Sequence, residues 1–126
     1  MAHSIEYNSE ANIIESQYQG EIELNELLEG TREIMQLIKQ TNCFNILTDL
    51  SNATLNASVL DLYDHPQQLV QVIEEAGIQF YKLKRAFVSK ESGERFIFYE
   101  DVAVNRGHNV KQFQKIEEAR RWLQQN

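Results

Sequence analysis

Residues 43–52 constrain this chain most. Cys43-Phe44-Asn45-Ile46-Leu47-Thr48-Asp49-Leu50-Ser51-Asn52 is an apolar run that stops abruptly in Asp-Leu-Ser-Asn. Between Phe44 and Leu50 the run is apolar on both parities apart from Asn45, Thr48 and Asp49. A strand with one wet face alternates; a strand covered on both faces does not. The run therefore predicts a strand over Cys43–Leu50 with helices on both sides. Asp49-Leu50-Ser51-Asn52 reads as its opening into a loop, followed by a helical pattern. In open α/β sheets the crevice beyond the strands' carboxyl ends is where ligands bind.

The flanking segments supply the rest of the sheet and its cover. Ile5 and Tyr7, then Ile14, Ser16 and Tyr18, alternate with other residues around a turn-like Asn8–Asn12, which predicts an opening hairpin. Gly20 is expected to end its second strand. Leu24, Leu27, Leu28, Thr31, Ile34, Met35 and Ile38 recur at helical spacing, predicting a helix from Leu24 to Gln40. Residues 57–77 are helical but interrupted at Asp64-His65-Pro66, because proline suits a first turn. The expectation is a short turn through Tyr63, then a second helix closed by Gly77. Lys84–Ser89 is a strand, Glu94–Arg106 a helix stopped by Gly107, and Asn109–Phe113 a last strand. Ile116, Ala119, Trp122 and Leu123 form the stripe of a closing helix. The order β-β-α-β-α-β-α-β-α implies an α/β fold, with a mostly parallel sheet, one antiparallel edge strand and flanking helices. Without linker or repeat, residues 1–126 read as a single domain.

Charge and cysteine content exclude several functions. A net charge of −7 argues against nucleic-acid binding, which needs a basic face. The one Cys excludes an intrachain disulfide and a thiolate zinc cluster, and Cys43 reads as a buried, inert thiol. No apolar stretch approaches the roughly 20 residues of a membrane helix. Met1–Glu6 lacks the features of a signal peptide, so a cytoplasmic protein without membrane insertion is expected.

Four segments carry a family resemblance: Gly20-Glu21-Ile22, Leu47-Thr48-Asp49-Leu50, Lys84-Arg85-Ala86-Phe87-Val88, and a C-terminal signature. That signature comprises Asn105-Arg106-Gly107, Val110, Phe113, Glu118-Ala119 and Trp122-Leu123. Together, in this order, they resemble the STAS fold and, more closely, the bacterial SpoIIAA-like (STAS/SEC14-like) family of small stand-alone proteins. The resemblance spans nearly the whole chain. It implies a binding or regulatory module with no established reaction. In anti-sigma antagonists of the STAS group, Asp-Ser-Ser-Gly after this strand carries a phosphorylated serine. Here Ala57-Ser58-Val59-Leu60 is the nearest counterpart, lacking both the preceding Asp and the Gly.

Asp49, Ser51 and Ser58 thus mark a candidate interaction or phosphorylation edge. Their plainer roles are loop capping for Asp49 and Ser51 and a helix N-cap for Ser58. Phe96-Ile97-Phe98-Tyr99 are consecutive and cannot all enter one core, so Phe96, Phe98 and Tyr99, with Arg106, mark a candidate pocket or interface. His65 is assigned to the turn starting the second helix piece and His3 to an exposed strand. His108 either joins Arg106 in an anion-binding turn or follows a helix end where Arg106 complements the dipole. The three His are too far apart for a metal motif, and no catalytic signature appears, so no cofactor, metal or enzymatic activity is expected. The leading expectation is an unidentified protein partner at the edge after Asp49. The alternative is an apolar small molecule, suggested by the SEC14-like side of the resemblance, and a homodimer is a further candidate assembly.

Overall fold

The chain enters as an antiparallel hairpin of β1 (His3–Asn8) and β2 (Ile13–Glu23), then continues through α1 (Leu24–Thr41) and β3 (Asn45–Asn56). Next come α2 (Val59–Glu75), a 3-10 turn at Phe80–Lys82, β4 (Lys84–Val88), α3 (Glu94–Asn105), β5 (Asn109–Phe113) and α4 (Ile116–Gln124). This computed structural model describes residues 3–90 and 94–125, so Met1 and Ala2 of the opening segment fall outside the described residues. The five strands lie in the order β1-β2-β3-β4-β5, with β1 antiparallel to β2 and the other neighbours parallel. The predicted element order and the single antiparallel edge are both present.

Strand pleating sorts consecutive residues to opposite faces. Ile14 and Ile46 join Ile34, Met35 and Ile38 of α1 and Leu69 and Ile73 of α2. Their neighbours Ile13 and Leu47 join Ala119 and Leu123 of α4 on the other face. Phe87 and Val110 meet Phe96, Tyr99 and Ala103 of α3 on the α1 and α2 side. Three helices therefore cover one face and α4 the other. Each fully buried aliphatic or aromatic side chain contributes about 1.5–3 kcal/mol.

Three local expectations are corrected. Asp49-Leu50-Ser51-Asn52 is not a loop, because β3 runs on to Asn56. The register explains it: Gln17 pairs with Asp49 but Gln19 with Asn52, so three steps on β3 match two on β2. This is a bulge, and the Asp49 carboxylate accepts hydrogen bonds from the Ser51 amide at 2.9 Å and hydroxyl at 2.6 Å. Polar residues stay in the strand because their own side chains satisfy the irregular backbone. Gly20 likewise does not end β2; it pairs with Ala53 at φ 77°, a conformation that costs glycine little. Finally, α2 is continuous from Val59 to Glu75 with Pro66 inside it. Pro66 is buried with Leu62, His65, Leu69 and Ile73, so tertiary packing outweighs the lost helix hydrogen bond.

Candidate functional site

The face of the sheet beneath α1, α2 and α3 holds a cavity of about 70 Å³. Its floor comes from inward-facing strand positions: Ser16 and Tyr18 of β2, Thr48 and Leu50 of β3, Arg85 and Phe87 of β4. The bulge adds Leu55 to that floor, because one extra residue reverses the parity between Leu50 and Leu55. Leu24, Leu27, Thr31 and Ile34 of α1 form one wall. Leu62, His65 and Leu69 of α2 form another, and Phe96 and Tyr99 of α3 complete the lining.

A few polar groups interrupt this apolar lining. Arg85 is half-buried, and its Nη2 donates to His108 Nδ1 at 3.0 Å. Arg85 has no carboxylate partner among the described residues. His65 is 4% exposed, with Nδ1 2.9 Å from the Tyr99 hydroxyl and Nε2 buried without a hydrogen-bond partner. Burial, then the charge of Arg85, then His108, lower the His65 pKa to about 3. His108, 5% exposed and tilted against Phe80, is lowered to about 4 by burial, then by Arg85 and Arg106. Both imidazoles are therefore neutral at pH 7. On the β2 side of the floor, burial and then the charges of Glu33 and Glu26 raise the Tyr18 hydroxyl to about 12.

The sequence-based candidates separate onto two faces. Phe96 and Tyr99 line the cavity, whereas Phe98 packs half-buried against the core cluster that contains them without reaching the cavity, and Ile97 is exposed. Arg106 lies outside the cavity, with Nη1 donating to the Tyr63 carbonyl at 2.9 Å and the guanidinium 4.4 Å from the Tyr63 ring. Asp49 faces the α4 side, in a separate hollow with Glu6, Glu15, Ile116 and Arg120. The structure therefore does not bring Asp49 to Phe96 and Tyr99. Ser51 is half-buried beside Asp49. Ser58 is the N-cap of α2 in a capping box, accepting from the Asp61 amide at 3.1 Å while Asp61 Oδ2 accepts from the Ser58 amide at 3.1 Å.

The histidines depart most from expectation. His65 is not in a turn but on the buried stripe of α2, a position signalled by its spacing from Leu62 and Leu69. His108 pairs with Arg85 rather than with Arg106. His3 is half-buried, stacked on Tyr18 and bonded to Glu33 at 2.8 Å. Sequence reasoning missed Arg85 as a site residue. The signal was a charge two residues before Phe87, on the same strand face. Among the described residues, no group of three or more potential ligands could hold a metal ion, and no helix is long and apolar enough to cross a membrane.

No family model matches the sequence, and no curated protein matches it. Among solved structures, the chain is similar to an uncharacterized protein of the DUF3478 family from Shewanella loihica PV-4, which has a SpoIIAA-like fold. The two are 16% identical, the match covers 97% of this chain and 92% of that one, and the TM-score is 0.57. Sheet order, helix placement and this likeness together give the chain a SpoIIAA-like α/β fold.

Proposed function

We propose that this domain is a non-catalytic binding module whose occupant is a small apolar molecule seated between the sheet and α1, α2 and α3. One observation carries the reading: a preformed cavity of about 70 Å³ with mostly aliphatic and aromatic lining and a few convergent polar groups. Its titratable groups support binding over catalysis. General acid–base work needs a pKa near the working pH, whereas His65 lies near 3 and Tyr18 near 12. Native mass spectrometry after gentle purification tests the reading, with a co-purifying small-molecule mass expected. An apo mass, together with no chemical-shift change at Phe96 and Tyr99 on adding small apolar compounds, would defeat it.

A second reading, a protein partner at the start of α2, rests on a different observation. Val59 and Leu60 are 57% and 68% exposed, immediately after Ser58. Pull-downs with wild type, Leu60→Asp, Ser58→Glu and Asp49→Ala test it. A partner retained by wild type and lost with Leu60→Asp is the expected result; identical captures by all four would refute it.

A further inference from the structure

We propose that the cavity floor is a carboxylate subsite, in which Arg85 and the Nε2–H of His65 bind the anionic head of a short-chain monocarboxylate. The tail would lie against Leu27, Leu50, Leu62 and Phe96, which share the cavity with both polar residues. The inference rests on the reading of this cavity as a small-molecule site and names the ligand's chemistry.

Three independent features converge on it. The first is an uncompensated cation. Arg85 occupies an inward-facing strand position among apolar groups, without a carboxylate partner among the described residues. A desolvated charge is costly unless it is paired, and the group that would pair it here is not supplied by a described side chain. The second is an unpartnered imidazole nitrogen. His65 lines the same cavity at 4% exposure, and its Nε2 has no partner. In the tautomer that carries its proton on Nε2, the Tyr99 hydroxyl donates to Nδ1 across 2.9 Å and the ring offers a carboxylate one N–H donor. The third is orientation. His108 accepts from Arg85 Nη2 at 3.0 Å, so one arm of the fork is held and the remaining N–H groups stay open to a ligand. His108 is in this sense a positioning residue.

Size narrows the class. A cavity of about 70 Å³ has room for roughly five or six water-sized groups. That suits a carboxylate with a short aliphatic tail and excludes long-chain acyl groups fully enclosed. A carboxylate, planar and acceptor-only, matches a guanidinium fork and one imidazole N–H without stranding a donor of its own.

Titration of the full chain with butanoate and with butanol, followed by calorimetry and amide and methyl NMR shifts, tests the proposal. Butanoate is expected to bind at least tenfold tighter than butanol, with shifts at Phe96, Tyr99 and the His65 ring. Arg85→Gln, which keeps an amide donor for His108, should remove that preference while butanol binding persists. Arg85→Lys should retain most of it. Equal binding of acid and alcohol by wild type overturns the carboxylate subsite while leaving the apolar cavity as the binding site. Absence of binding by either compound overturns both. A butanoate preference unchanged in Arg85→Gln overturns the assignment to Arg85.

Discussion

At the scale of single residues, two positions show how tightly the cavity side is built. Gly30 of α1 faces the Tyr18 hydroxyl, and a methyl group there would collide with it. Gly30→Ala should therefore lower stability by about 1–3 kcal/mol, read from urea midpoints. Tyr18→Phe in the same chain should recover much of the loss, because the colliding oxygen is gone. Neutral burial of His65 and His108 gives a second expectation. Their folded pKa values, about 3 and about 4, lie below the ordinary histidine value of 6.5. The unfolded chain then takes up protons that the folded one refuses, so stability is full above pH 6.5 and falls as pH drops toward 4. Urea unfolding at pH 7.5 and 4.5 should differ by on the order of 2 kcal/mol for each histidine. His65→Gln should flatten that dependence; an unchanged slope would contradict the burial of a neutral ring.

At the scale of elements, two termini carry most of the local specification. The Ser58–Asp61 capping box opens α2, and Ser58→Ala should cost about 1 kcal/mol of stability. A Ser58→Ala protein as stable as wild type would contradict the cap. At the other end of the chain, Lys84 Nζ donates to the carbonyls of Trp122 and Gln125 at 2.5 and 2.7 Å and lies 4.7 Å from the Trp122 ring. It thereby fastens the C-terminus of α4 to β4. Lys84→Met should loosen that helix and cost about 2 kcal/mol, seen as altered Trp122 fluorescence well before global unfolding. These elements were largely legible in the sequence. The period of α1 marks its face from Leu24 to Ile38, and Ser58 was recognisable as a helix N-cap candidate. The bulge in β3 was not legible. Asp49-Leu50-Ser51-Asn52 has turn chemistry, and pairing with β2, together with the Asp49–Ser51 hydrogen bonds at the bulge, keeps it extended. Pro66 misled for the same reason: its helical conformation is fixed by what packs on it rather than by its own preference.

At the scale of the whole molecule, the cavity and the charge inside it are a compromise between binding and stability. Arg85 adds a half-buried cation without a carboxylate partner among the described residues and helps to depress both neighbouring histidines. Arg85→Met should raise the thermal midpoint at pH 7 by about 4 °C and lessen the sensitivity to acid. A lowered midpoint would mean that the bond to His108 outweighs the desolvation of the guanidinium. The same scale explains why the candidate edge and the candidate pocket do not meet. Asp49 and Leu50 are adjacent in sequence, yet pleating sends Asp49 toward α4 and Leu50 into the cavity.

The sequence alone determined the α/β order, the single antiparallel edge and the identity of the central strand, because each follows from local period and turn chemistry. It also nominated Phe96, Phe98, Tyr99 and Arg106 for a pocket or interface; of these Phe96 and Tyr99, three apart on one face of α3, line the cavity. Only the tertiary structure decided that Arg85, His65 and His108 converge. They come from β4, α2 and the turn before β5, and no spacing in the chain encodes a meeting of three separate elements. That meeting depends on strand register and on which helix covers which face, properties fixed by packing the whole core at once.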